Sequence, residues 1–298
     1  MGKMMLGQWD GIEEFVMVAR HGSFTLAAEA YGASVTHMSR ALARLETRLQ
    51  VQLMLRTTRT LRLTETGQIF LETCRRLIEE RDEAIAAITS QGEPRGHLRV
   101  TCSYALGEKF VAPLVRELSQ AYPAISVTLD LDNALVDLIA AGYDLAIRTG
   151  HLDDSRLVAT RVASRALVTL ASPAYLDARG RPQDLADLRH HECLVGSAAQ
   201  WHFTGGKTFR PQGRWRCNSG NALLEAALAG MGLCQLPAFY LGDHVAAGRL
   251  EPVLAELAPE EEPIWAVYPQ RRHLSPKVGA LVTHLRANLP ARLAEASA

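Results

Sequence analysis

A chain of 298 residues with 48% apolar side chains is long enough for two or three compact units, each with its own core, which excludes disordered and fibrous classes. The 32 basic and 32 acidic residues cancel to a net charge of zero, so a nucleic acid, membrane surface or acidic substrate would have to be held by a local patch. The five cysteines, Cys74, Cys102, Cys193, Cys217 and Cys234, are scattered, odd in number and without a Cys-x-x-Cys pair, which argues for reduced structural thiols rather than a disulfide framework or a zinc site.

Residues 1–10 lack the apolar run and cleavage site of a secretory leader, and no apolar stretch is long enough to span a bilayer. A cytoplasmic protein with no membrane partner is therefore expected. Up to about residue 91 the apolar residues recur at helical spacing, whereas from residue 97 short β-rich segments alternate with helical ones. The stretch Gln91-Gly92-Glu93-Pro94-Arg95-Gly96 breaks both patterns and marks the boundary.

The first helix carries Ile12, Phe15, Val16 and Ala19 and ends near Gly22. Ser23 is placed to cap a second helix running to Tyr31, and Ser34, after a short turn, a third. On the third helix Met38, Leu42, Leu45 and Leu49 form one apolar stripe, while Arg40, Arg44 and Arg48 recur every four residues away from it. Two helices joined by a tight turn, the second with a basic outer face, predict a helix-turn-helix whose second helix enters the major groove of duplex DNA. Residues 51–63 read as two short strands around a polar, arginine-bearing turn, a wing. Residues 36–62 hold six arginines and one acidic residue, Glu46, although residues 1–90 balance at eleven of each sign. Over 65–90 a helix follows with Leu71, Ile78 and Ile85 seven apart and Cys74, Arg81 and Ile88 in a second register, a seam for pairing with another copy or for packing on its own domain.

Beyond the boundary, strands are expected at 97–102, 125–131, 144–148, 166–171, 233–236 and 264–268, and helices at 107–122, 134–141, 222–229 and 277–288. Their alternation predicts mainly parallel sheets with a ligand at the carboxyl ends of the strands.

Within the basic module, Val35, Thr36, Ser39 and Arg40 are expected to read base edges, with Arg44 on the same cationic face. Arg40 suits a bidentate contact to guanine, and Val35 and Thr36 suit a thymine methyl. Ser23, Thr25 and Ser34 stand at helix N-termini suited to phosphate, and Arg56, Arg59 and Arg62 would follow the backbone or enter the minor groove. The competing account is a solvated helix face, or salt bridges to Glu46. In the second part Ser103 and Tyr104, Thr149 and Gly150, and Asn218, Ser219 and Asn221 fall where strand ends meet helix starts, a cradle for a small anionic or polar effector. Taken singly, Ser103, Asn218 and Ser219 would serve equally as helix caps.

The run Gly22-Ser23-Phe24-Thr25-Leu26-Ala27-Ala28, continued by Ser34-Val35-Thr36-His37-Met38-Ser39-Arg40-Ala41-Leu42-Ala43-Arg44-Leu45-Glu46, by Leu55-Arg56-Thr57-Thr58-Arg59 and by Leu63-Thr64-Glu65-Thr66-Gly67, closely resembles the N-terminal signature of LysR-type transcriptional regulators. Gln50 stands where that family usually has Gly, Met54 where it usually has Phe, and Val35 where Gln is commoner. Tyr122-Pro123, Gly142-Tyr143-Asp144-Leu145-Ala146-Ile147-Arg148, Ser172-Pro173, Trp201-His202-Phe203, Asn218-Ser219-Gly220-Asn221 and Leu236-Pro237 resemble the family's effector domain, so the likeness spans nearly the whole chain.

The resemblance implies an α/β multidomain protein: a winged helix-turn-helix DNA-binding domain over 7–64, a linker and dimerisation helix over 65–91, and over 92–298 a two-lobed α/β effector-binding domain like a type 2 periplasmic binding protein. Its lobe I would comprise 97–164 plus 268–290 and its lobe II 165–267, hinged over a cleft. It further implies double-stranded promoter DNA as partner, a homodimer or homotetramer, and RNA polymerase as a partner if the protein activates.

Other chemistry is set aside. Gly205-Gly206-Lys207-Thr208 ends like a phosphate loop, but Trp201 stands where the first glycine is required. His190, His191 and His202 with Cys193 lack metal-site spacing, and Cys193 with Cys217 lacks the basic surroundings of a redox pair. Without a Gly-x-Ser-x-Gly elbow, a His-Glu-x-x-His motif or paired carboxylates, neither an enzyme nor a cofactor is expected. The alternative from another class is a cytosolic small-molecule-binding protein whose N-terminal module docks a protein.

Overall fold

The computed structural model describes residues 9–56, 61–89, 93–134, 136–150, 156–270 and 274–297. The chain divides into two compact units that part between residues 92 and 93.

In the first unit α1 (Ile12–His21), α2 (Phe24–Tyr31) and α3 (Val35–Leu49) follow in short order. Gly22 and Gly32 end α1 and α2 in the left-handed conformation, and the Ser23 and Ser34 hydroxyls accept the Leu26 and His37 N–H groups at 3.4 and 3.1 Å to start α2 and α3. Three members of the stripe on α3 pack inward, Met38, Leu42 and Leu45 closing on Phe15 and Val18 of α1 and on Leu53 and Met54 beyond the helix, while the fourth, Leu49, is exposed in the last turn. Met54 is fully enclosed. Gln50 takes over glycine's role at the end of α3 with φ of 54°, a left-handed conformation that costs a side-chain-bearing residue about 1 kcal/mol.

The wing is a two-stranded antiparallel ribbon, β1 (Met54–Arg56) against β2 (Leu61–Leu63). Glu46 accepts the Leu53 and Met54 N–H groups at 2.8 and 3.0 Å and so anchors the start of the wing. Next comes α4 (Glu65–Thr89), whose first turn lies against the wing: a Cβ on Gly67 would stand 2.0 Å from the Leu53 carbonyl oxygen, so only glycine fits.

The start of the α4 seam follows the second of its two expected readings and packs on its own unit. Leu71 and Cys74 turn into the unit's own core, because the wing and α1 cover that face first. Arg81 donates to Glu13 of α1 and lies 5.9 Å from the Trp9 ring centre. Among its described side chains α4 leaves the apolar Ile69, Leu77 and Ile85 exposed.

The second unit opens with β3 (Gly96–Cys102), α5 (Tyr104–Leu106), a wide turn of helix over Gly107–Val111, and α6 (Ala112–Ala121). Then come β4 (Ile125–Leu131), α7 (Leu138–Ala141), β5 (Leu145–Thr149), β6 (Leu157–Arg165), β7 (Leu167–Ala171), α8 (Pro173–Arg179), β8 (Trp201–His202), β9 (Thr208–Phe209), α9 (Gly220–Leu228), β10 (Cys234–Pro237), β11 (Glu251–Pro252), β12 (Glu262–Pro269) and α10 (Pro276–Ser297). A five-stranded sheet in the order β4-β3-β5-β12-β6 buries one face under α6 and α10, with Leu98, Val100, Leu145, Ile147, Leu114, Leu281 and Leu285 in its core. A three-stranded sheet, β10-β7-β11, is covered by α9 through Leu223, Leu224 and Ala227.

Two expectations are corrected here. Among the named strands only the β4-β3-β5 pairs are parallel and the rest are antiparallel, with two isolated parallel bridges, Cys193 to Leu233 and Val195 to Arg216, outside them. The chain leaves the five-stranded layer after β6 and re-enters it through β12, which inserts antiparallel between β5 and β6. Residues 262–267 therefore belong with the first layer and not with lobe II, and β6, unmarked by the sequence patterns, is its edge strand. Gly205-Gly206-Lys207-Thr208 lies at the turn between β8 and β9, with both glycines at positive φ, and no helix follows it.

Candidate nucleic-acid interface and effector cleft

Outward from the stripe, α3 exposes Val35, at 44% of its surface, together with Thr36, Arg40 and Arg44, while Ser39 is half-buried. Helix α3 thus exposes four of the five residues along it that were expected to meet the duplex. Ser34 and Thr25 are exposed at the starts of α3 and α2, and Ser23 is half-buried as the cap of α2. Arg62 is exposed on β2, whereas Arg59 and the side chain of Arg56 lie outside the described residues. Arg48, the third basic residue of the series, turns back to donate to the Asp10 carbonyl at 2.9 Å.

His37, which no sequence signal singled out, sits in the first turn of α3 with Nε2 3.0 Å from the Glu14 carboxylate of α1, itself almost buried. With Arg48 on Asp10, this pairing fixes α3 against α1 at both of its ends.

In the second unit the expected residues stand at three element ends, after β3, at the end of β5 and at the start of α9. Ser103 follows β3, and its hydroxyl makes no capping bond to α5. Tyr104 is exposed, and its N–H donates to Asn133 Oδ1 at 3.0 Å. Thr149 ends β5 and accepts from Arg165 at 3.0 Å, while the Gly150 carbonyl accepts the Trp265 indole N–H at 3.0 Å. Ser219 caps α9 by accepting the Ala222 N–H at 3.4 Å, and Asn218 and Asn221 are exposed beside it. Arg165 also pairs with Glu262 at 2.6 Å, tying together the two strands through which the chain passes between the layers.

Two residues missed by sequence reasoning organise this region. Asn133 touches both Tyr104 and Asn218, and Arg148, 8% exposed, donates to the Asp132 carbonyl and to Thr101 Oγ1 at 3.1 and 3.0 Å. Burial pushes the Arg148 guanidinium below its ordinary pKa. Arg148 had entered only as part of a family-like run, and nothing local distinguishes a buried arginine from a solvated one.

The thiols and imidazoles set aside earlier occupy ordinary structural places. Burial pushes Cys193 up to about 12 and Cys102 up to about 12, and the Tyr175 hydroxyl lies 3.1 Å from His191 Nδ1. Among the described residues no helix is long and apolar enough to cross a membrane.

Comparison with known proteins agrees with this architecture at both ends. Residues 9–68 match the family described as bacterial regulatory helix-turn-helix protein, lysR family, and residues 91–290 match the LysR substrate binding domain. An uncharacterized HTH-type transcriptional regulator of Haemophilus influenzae is 35% identical over 277 residues, covering 90% of this chain and 96% of its own. The HTH-type transcriptional activator AaeR of Escherichia coli K12 is 33% identical over 279 residues, covering 91% and 90%. The solved structure of CrgA, a LysR-type transcriptional regulator from Neisseria meningitidis, superposes with a TM-score of 0.53 at 31% identity, over 97% of this chain and 98% of that one. With a helix-turn-helix, a substrate-binding domain and relatives that match over nearly their full length, this chain belongs to the LysR family of transcriptional regulators.

Proposed function

We propose that the first unit reads a two-fold symmetric promoter site through the outer face of α3, and that the second unit adjusts this reading when a small effector enters the cleft between its two layers. The observation that carries the first half is the division of α3 into a buried apolar stripe and an exposed cationic face. In this reading Arg40 meets a guanine, Val35 and Thr36 meet thymine methyls, and Ser39 and Arg44 extend the contact. Ser23, Thr25, Ser34, Arg56, Arg59 and Arg62 neutralise or bond phosphates. A single module makes few such contacts, so two copies joined through the exposed Ile69, Leu77 and Ile85 of α4 would gain effective concentration on a paired site. Such a dimer, or a tetramer built from it, sits in the cytoplasm beside its DNA, and an activating form would engage RNA polymerase.

The effector is a small polar or anionic molecule held by Ser103, Tyr104, Thr149, Gly150, Asn218, Ser219 and Asn221. The support is their position at the ends of β3 and β5 and at the start of α9, with Tyr104 and Asn218 bridged by Asn133.

Selection of genomic fragments by the purified protein, followed by titration of the enriched fragment at several salt concentrations, tests the DNA half. Enrichment of a palindromic site with a steep negative salt slope is expected, and salt-insensitive or absent duplex binding would favour the protein-docking alternative. Calorimetry and solution scattering with candidate metabolites test the sensing half. Absence of both heat and shape change across them would remove it.

A further inference from the structure

The Asn133 carboxamide bonds across the two layers of the second unit, as does the Lys109 ammonium, which donates to the Phe239 carbonyl at 2.6 Å. Asn133 lies on the bend after β4. Its Oδ1 accepts the Tyr104 N–H at 3.0 Å, and its Nδ2 donates to the Asn218 carbonyl at 2.8 Å. Tyr104 follows β3 of the five-stranded sheet, and Asn218 leads into α9, which covers the three-stranded one. The Ser197 hydroxyl donates to the same carbonyl at 3.3 Å from the side of the second layer.

An asparagine that merely stabilises a turn bonds to backbone groups two or three residues away. Asn133 instead reaches partners 29 and 85 residues distant, and its own turn is held by other groups. Asp132 Oδ1 accepts the Ala134 N–H at 2.9 Å, and the Asp132 N–H donates to the Cys102 carbonyl at 2.9 Å. Arg148 donates to the Asp132 and Ala134 carbonyls at 3.1 and 3.3 Å, the two that flank Asn133. Among the described residues no carboxylate forms an ion pair with this buried guanidinium, an arrangement that is costly by itself. Its effect is to clamp the bend, so that the Asn133 carboxamide is presented with little entropy left to lose.

We propose that Asn133 is the positioning residue that sets the spacing of the two layers in the effector-free protein, and that the cleft opens when its bond to the Asn218 carbonyl is broken. The inference rests on the proposed sensing role for this cleft and deepens it.

Amide hydrogen exchange on the full-length, effector-free protein tests it, comparing wild type with Asn133→Ala, Asn133→Asp and Ser197→Ala. Asn133→Asp keeps an acceptor for the Tyr104 N–H but sets a carboxylate oxygen against the Asn218 carbonyl. The Tyr104 amide should exchange roughly fivefold faster or more in Asn133→Ala and near the wild-type rate in Asn133→Asp. The two crossings, around 164–167 and 259–262, should exchange faster in both Asn133 variants and unchanged in Ser197→Ala, which removes a bond within one layer. Crossings that exchange at the wild-type rate in both Asn133 variants, or that respond equally to Ser197→Ala, would overturn the proposal. No effector enters this experiment, so its failure is distinct from failure of the sensing role, which calorimetry decides.

Discussion

Helix α3 of the first unit holds its core side chains by apolar packing and leaves Thr36, Arg40 and Arg44 exposed, whereas the strand ends of the second unit bond their polar groups to one another. The two arrangements suit different tasks. A duplex brings its own dense charge, so side chains that await it need only be aimed, and the aim comes from Met38, Leu42 and Leu45 behind them. A cleft that responds to a dilute small molecule, as we propose for the second unit, needs a ligand-free state of defined geometry, which directional bonds such as those of Asn133 and Arg165 would supply. Stability in the first unit should therefore follow apolar volume, and geometry in the second should follow hydrogen bonds.

The largest test of this contrast is Phe15→Ala. The ring is fully buried between α1, α3 and α4, and its loss should cost roughly 3 to 5 kcal/mol. Calorimetry should show the transition of the first unit falling while that of the second stays in place. A joint fall would contradict the separation of the two cores. Arg148→Met in the second unit comes next. It leaves the Asp132 and Ala134 carbonyls without their donor, for a loss of about 1 to 3 kcal/mol read by chemical denaturation. A gain in stability would mean that the buried charge costs more than its bonds return.

Gln50→Gly reverses the sign. It relieves a left-handed residue at the end of α3 and should stabilise the first unit by about 0.5 to 1 kcal/mol, raising its melting temperature. The smallest effect concerns the thiols. Cys102 and Cys193 are pushed up to about 12 and Cys74 to about 11 by burial, and Cys234 is raised further in the same way. At pH 8 these four stay protonated, so a disulfide-exchange reagent should rapidly label only Cys217, the half-buried one. Fast labelling of a second thiol would show that a buried cysteine is reached from solvent.

The same contrast explains what could be read from the chain alone. The stripe on α3, the serine caps and the wing rest on spacings of a few residues, and such local patterns survive in a sequence. Where a contact joins distant positions, as Asn133 does with Asn218, no period or motif records it. Placement of β12 failed for a related reason: an apolar run at 264–268 announces a strand but not the sheet it joins, and pairing with both β5 and β6 decides that. On α4 the heptad of Leu71, Ile78 and Ile85 was real as a period. Its first member, Leu71, is nonetheless claimed by the adjacent core, since periodicity shows that a face is apolar without showing what covers it.

The central claim is that the exposed face of α3 recognises duplex sequence, and it is met most directly by Arg40→Ala. Affinity for the selected genomic site and for an unrelated duplex of equal length should be measured side by side over a range of salt. The account predicts that the ratio of the two affinities falls by roughly 10- to 100-fold while the helical spectrum and melting behaviour stay those of the wild type. An unchanged ratio, with an unchanged salt slope, would contradict it.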